Sequence, residues 1–209
     1  MSIRKEKAAR LKIQILENTL RLLGKKSFAD LYVDEICARV KISKVTLFKY
    51  FPRKEDLLLY YFRLWCLART IELREKKKEG LQGIYFLFDR ISDEYEQYPG
   101  MLLGLMGYLT NSRRPPKPYP VRREEKKLLY PGIADIQAVE ILSVNQMLER
   151  FALEAIMKRE ITRSSSTADI TNALTTMFYG SVIVSHVNQQ NPARLFFRRN
   201  LDSVLRGIT

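Results

Sequence analysis

Apolar side chains recur along this chain at steps of three and four, the spacing of one face of an α-helix. Ala9, Ile13, Leu16, Leu20 and Leu23 draw one stripe on a first helix, which Gly24 and Ser27 end. Val33, Ile36, Cys37 and Val40 repeat the pattern on a short second helix. Asp30 is its expected cap, with Asp34 and Glu35 near its positive end. After a short break Ser43 can cap a third helix, which must stop before Pro52. A fourth, long helix is expected over 54–78, then helices over 81–98 and 101–110 separated by Pro99-Gly100. Pro115, Pro116, Pro118 and Pro120 interrupt the charged stretch 113–127, which reads as an exposed, mobile loop. A helix over 141–161, a serine-rich connection at 164–166, a helix capped by Thr167 and running to about 187, and a last one begun by Asn191-Pro192 complete the pattern. No strand pattern or internal repeat interrupts it, so the predicted fold is all-α.

The third helix carries the functional signal. At about 100° per residue, Leu47 and Phe51 share one side, suited to packing inward. Val45 and Lys49 occupy the opposite side, flanked by Thr46 and Phe48, and Lys44 stands at the start. A short solvent-facing helix would ordinarily show acids and amides there. Lysine suits guanine acceptors or phosphate, and the methyl groups of Thr46 and Val45 suit a thymine methyl. Tyr50 and Lys54, at the far end, are placed to hold the sugar-phosphate backbone rather than read sequence. These seven residues form the candidate DNA-binding set.

Charge strengthens the reading. The net formal charge is +13, and residues 1–54 hold 14 Lys and Arg against five Asp and Glu. A basic region concentrated in the first quarter of the chain favours a polyanionic partner, with counterion release supplying affinity. The 46% hydrophobic content fits an ordinary globular chain. No apolar run reaches the roughly 18 residues of a membrane span. The basic start, Met1 to Lys5, leads into no uninterrupted apolar stretch, so a secretory signal is not expected and a cytoplasmic location is. Cys37 and Cys66 lie among apolar helical residues and read as buried reduced thiols. With one histidine, His186, they offer no metal spacing. No metal, cofactor or catalytic residue is expected, and no nucleophile-base pair or phosphate-cradling glycine loop argues for an enzyme.

From Phe28 through Val33-Asp34-Glu35-Ile36-Cys37-Ala38-Arg39-Val40-Lys41-Ile42-Ser43-Lys44-Val45-Thr46-Leu47-Phe48-Lys49-Tyr50-Phe51 to Lys54-Glu55-Asp56-Leu57, the chain closely resembles the signature of the TetR (tetracycline-repressor) family. The resemblance covers roughly residues 10 to 58. It implies a three-helix helix-turn-helix DNA-binding domain over 1–53 and a larger helical ligand-binding and dimerisation domain over 54–209. It further implies a homodimer joined through the last two helices, and a repressor released from a double-stranded DNA operator by a small-molecule effector. By position, Thr46 and Lys49 would touch base edges, Lys44, Tyr50 and Lys54 phosphates, and Leu47 and Phe51 would be core. Three residues depart from the pattern: Lys41 and Val45 stand where the family has glycine, and Phe48 where it has tyrosine. If Lys41 needs a positive φ, the strain is about 1 kcal/mol. A missing hydroxyl at Phe48 and a side chain at Val45 change what can approach the bases.

Aromatic and methionine side chains are frequent in the middle of the chain, and such groups suit a hydrophobic or planar effector. Trp65, Tyr108, Phe151 and Phe178 are the expected effector-binding residues, although aromatics at helical spacing are more often core. Ile170, Leu174, Met177, Phe178 and Ser181 on the penultimate helix, with Leu195, Phe196, Leu201, Val204 and Leu205 on the last, are the expected dimer faces. The basic loop reads as solvated rather than as a lipid or nucleic-acid site. The competing reading is a helical small-molecule-binding protein or enzyme with an incidental basic head. An activator or architectural DNA-binding protein with the same head is a further alternative that sequence does not separate from a repressor.

Overall fold

The computed structural model describes residues 3–24, 26–113, 116–161 and 166–207, and among them every regular element is a helix. In chain order these are α1 (Ile3–Leu23), a 3-10 turn (Phe28–Asp30), α2 (Val33–Val40), α3 (Lys44–Tyr50), α4 (Asp56–Lys76), α5 (Gly80–Gln97) and α6 (Pro99–Asn111). There follow α7 (Arg123–Leu129), a second 3-10 turn (Ile136–Ala138), α8 (Val144–Met157), α9 (Thr167–Val187) and α10 (Ala193–Leu205). No described helix is long and apolar enough to cross a membrane. Met1, Ser2, Arg114, Pro115, Ser164 and Ser165, which belong to segments discussed above, lie outside the described residues.

Serine caps set several helix starts. Ser43 Oγ accepts the Thr46 N–H at 3.2 Å, and Ser143 and Gln146 bond reciprocally at the start of α8. Two expected caps are corrected. Asp30 does not start the second helix: Ser27 caps an earlier 3-10 turn that buries Phe28, and α2 begins after Tyr32, whose N–H donates to the Glu35 carboxylate at 2.8 Å. Ser166, not Thr167, caps α9, accepting the Asp169 N–H at 3.1 Å.

The loop expected over 113–127 is also corrected. Once the prolines stop at 120, the sequence is free to coil, and α7 forms with Glu125 fully buried. The helix expected over 141–161 is shorter, because Ser143 caps its start and Arg159, at φ 57°, turns left-handed just past its end.

Two compact units divide the chain. One comprises residues 1–65 and 98–141, so α6, α7 and the second 3-10 turn join the first three helices. There α1 packs on α2 and α7, and α6 packs on the first 3-10 turn. A Cβ on Gly104 would lie 2.8 Å from Phe28 Cβ, and one on Gly100 would overlap the Lys26 carbonyl oxygen, so α6 approaches closer than alanine would permit. The other unit comprises residues 66–97 and 142–209. Its α5 is covered by α8, α9 and α10. Asp89 of α5 accepts from Arg198 at 2.7 and 2.6 Å and from Arg194 at 3.0 Å. Burial works against the Asp89 charge, but the two guanidiniums hold its carboxyl below the usual range.

Part of the expected dimer stripe needs correcting in the same unit, while its Leu195 is exposed. Ile170, Leu174, Phe178, Ser181, Leu201 and Leu205 are buried within the protomer. The exposed apolar side chains are Ile183, Val184 and Val187 of α9 and Leu195 of α10, with Leu153 and Met157 of α8. A helix that is apolar nearly all round has no unique stripe, and the core took the one that the sequence suggested for a partner.

Candidate nucleic-acid interface

The turn between α2 and α3 depends on one residue, Lys41, at φ 61° and ψ 48°. Its N–H donates to the Ala38 carbonyl, and the next, Ile42, donates to Cys37 at 3.0 Å, so the last carbonyls of α2 are satisfied. Lysine holds this left-handed conformation at a cost of about 1–2 kcal/mol relative to glycine. The turn directs Leu47 and Phe51 inward, both fully buried. The opposite face points outward: Val45 is 81% exposed and Phe48 40%, and Lys49 is exposed. Thr46 is half-buried, with its hydroxyl 3.0 Å from that of Ser43, which leaves its methyl as the freer part. Tyr32, 70% exposed at the start of α2, is a further large outward group that periodicity gave no reason to select.

The remaining cations divide by what already holds them. Lys44 forms an exposed ion pair with Asp34 at 2.8 Å, and that hydrogen bond raises its pKa above the ordinary value. Lys54 turns inward: its ammonium donates to Leu31 O at 2.7 Å and Ala29 O at 3.2 Å and lies over the Phe28 ring. Burial holds its pKa below normal. Lys54 closes the turn before α2, and at most one N–H is left for a phosphate.

Beside the end of α3 lies a cleft of about 470 Å³ bordered by Arg4, Lys5, Lys12, Lys49, Tyr50, Tyr119, Arg122 and Glu125. Its floor is an ion pair, Lys12 Nζ to Glu125 Oε1 at 2.6 Å, roofed by the rings of Tyr60 and Tyr119 at 4.3 and 5.0 Å from the ammonium. The Tyr119 hydroxyl donates to the carbonyl of Tyr50, the last residue of α3. Burial, with the charges of Asp56 and Glu125, pushes the Tyr119 phenol up to about 12. Tyr50 is half-buried and helps line the cleft. Sequence reasoning counted Arg4, Lys5 and Lys12 only as charge, and missed Tyr119, Arg122 and Glu125. No local pattern places a segment so far along the chain against the third helix.

Residues 15–61 match the sequence profile of bacterial regulatory proteins of the tetR family. The head is that of a TetR-family regulator. The chain is accordingly a DNA-binding transcriptional regulator. Three solved structures share the fold. The transcriptional regulator FadR from Bacillus subtilis, in complex with stearoyl-CoA, has a TM-score of 0.62 at 15% identity, over 94% of this chain and 99% of that one. A TetR transcriptional regulator from Rhodococcus sp. RHA1 scores 0.57 at 16% identity, over 96% and 99%. Reduced NemR from E. coli scores 0.54 at 15% identity, over 96% and 98%. No curated protein matches the sequence significantly.

The four expected effector residues fall in two units. Trp65 is 5% exposed and stacks on Phe62 with centroids 5.6 Å apart. Tyr108, in the same unit, is half-buried under the Arg53 guanidinium. Phe151 and Phe178 are buried in the other unit, Phe151 against Gly83 and Phe178 edge-on to Phe88.

Proposed function

We propose that this protein is a cytoplasmic homodimeric repressor, released from a double-stranded DNA operator by a small, hydrophobic effector. The observation that carries the reading is the outward face of α3, where Val45 and Lys49 are free while Leu47 and Phe51 are buried. Lys49 and the methyls of Val45 and Thr46 read base edges in the major groove, Phe48 packs beside them, and Lys44 and Tyr50 hold phosphates, with Lys54 contributing its remaining N–H. Residues 1–53 do this work, and residues 54–209 bind effector and dimerise. The protein acts by binding, not catalysis.

A hydrophobic effector is supported by the stearoyl-CoA named for the FadR structure of the same fold. Trp65, Tyr108, Phe151 and Phe178 are the side chains to probe for it. Self-association is supported by the exposed apolar residues of α8, α9 and α10, a density of apolar surface that a monomer seldom leaves open.

The deciding experiment is fluorescence-anisotropy binding to the DNA upstream of the gene and to a scrambled duplex, with Lys49→Ala alongside. Specific binding exceeds the scrambled duplex by roughly 10³-fold, and Lys49→Ala loses about 1–3 kcal/mol on the specific site alone. Equal affinity of wild type and variant for both duplexes refutes base reading by α3.

A further inference from the structure

The cleft beside α3 has more positive charge than the fold uses. Arg4 and Lys5 of α1, Lys49 of α3 and Arg122 before α7 border it, and none of the four has an acidic partner among the described residues. Glu125 is the single acid among the described lining residues, and it is fully committed. Its Oε1 holds Lys12, and its Oε2 accepts the Arg122 backbone N–H at 2.7 Å. Like charges gathered in one cleft repel one another, an arrangement that an anion relieves.

The cleft is also preformed. Tyr119 is fastened to the Tyr50 carbonyl and stacked on Phe51, with ring centroids 5.7 Å apart. Lys12 reaches the Pro120 carbonyl at 3.4 Å. These contacts set Pro120 to Arg122 against the end of α3, with the Arg122 backbone locked by Glu125 and its side chain exposed. Arginine presents a planar fork of N–H donors that matches a phosphoryl group.

We propose that this cleft seats a backbone phosphate of the bound duplex, with Arg122 as its ligand and Arg4 and Lys5 adding charge. The DNA interface then extends beyond the helix-turn-helix to the segment before α7. The proposal rests on the DNA-binding reading above and adds a contact that reading does not contain.

The test uses the full-length protein, with anisotropy titrations on the upstream and scrambled duplexes between 50 and 200 mM salt, the range over which phosphate contacts show strongly. Arg122→Ala, Arg122→Lys and Lys49→Ala are compared with wild type. Arg122→Ala is expected to flatten the slope of log K against log salt by about one on both duplexes alike. Arg122→Lys restores most of it, and both variants keep the wild-type melting temperature. An unchanged slope for Arg122→Ala, with Lys49→Ala still losing sequence preference, overturns the phosphate contact and leaves the DNA-binding reading intact. Absence of wild-type binding to either duplex at low salt overturns both. A third arm adds sodium pyrophosphate and follows melting. Stabilisation of wild type but not of Arg122→Ala, together with an unchanged DNA slope, assigns the cleft to a small phosphorylated ligand and overturns the duplex as its source.

Discussion

The Lys12 ammonium lies 2.6 Å from Glu125 Oε1, with the carboxylate fully buried and the lysine nearly so. The contact ties α1, the first helix of the head, to α7. Burial holds the lysine below its ordinary pKa even against the attraction of Glu125, so the pair is bought from desolvation rather than given free. Removing one partner leaves an uncompensated charge: Lys12→Met or Glu125→Gln should each cost about 3–5 kcal/mol. The double variant should cost far less than the sum, read by urea denaturation as a double-mutant cycle. Additive losses would mean that the two residues act separately.

Tyr119 fixes the end of α3 through the Tyr50 carbonyl, and burial pushes its phenol up to about 12 against an ordinary value near 10. Above pH 10 the unfolded chain releases this proton while the folded one keeps it. Stability from Tyr119 is therefore complete below about 10 and is lost as pH rises toward about 12. Tyr119→Phe should lose about 1 kcal/mol at neutral pH through the missing hydrogen bond. Its deficit relative to wild type should narrow between about pH 10 and 12 in thermal melts. A deficit constant with pH would show that the phenol is not perturbed.

Gly83 in the first turn of α5 faces the Phe151 ring so closely that an added Cβ would overlap ring carbons. Alanine is the better helix former by up to about 1 kcal/mol. Overpacking outweighs this, so Gly83→Ala should destabilise by about 1–3 kcal/mol. Adding Phe151→Leu to Gly83→Ala should recover part of the loss. A gain in melting temperature for the single variant would mean that Phe151 has room to retreat.

Asp34 holds Lys44 at 2.8 Å on the exposed head and places a negative charge beside the cation expected to meet phosphate. Asp34→Asn should raise affinity several-fold for specific and scrambled duplexes alike and steepen the salt dependence. Unchanged affinity would show that Lys44 stays away from the backbone.

Val187, 70% exposed, lies on the outward side of α9, and its loss removes nothing from the protomer core. Val187→Asp should shift the proposed dimer toward monomer in sedimentation equilibrium while leaving helical content unchanged. A variant that stays dimeric would move the partner surface elsewhere.

The helix-turn-helix was legible in the sequence because its determinants are local. Ser43 caps α3, Pro52 follows its end, and the spacing of Leu47 and Phe51 sends Val45 and Lys49 outward, all within one stretch of chain. The mixture of apolar and basic side chains on that outward face, together with the charge of residues 1–54, pointed to DNA before any tertiary contact was known.

Periodicity failed where several arrangements satisfy it equally. On α9 an apolar residue lies on nearly every side, so only packing against α5 and α8 decided that Leu174 and Phe178 face inward and Val184 and Val187 outward. Proline made 113–127 look loose, yet Tyr119, Glu125 and Lys126 are drawn in by Phe51, Lys12 and the Val139 carbonyl. Those partners are distant in sequence, and a buried charge can be identified only once its counter-charge is in place. What the sequence determined by itself was the all-helical pattern outside α7 and the outward chemistry of α3. What only the tertiary structure decided was which distant residues share the cleft beside it, because burial and ion pairing are properties of neighbours in space.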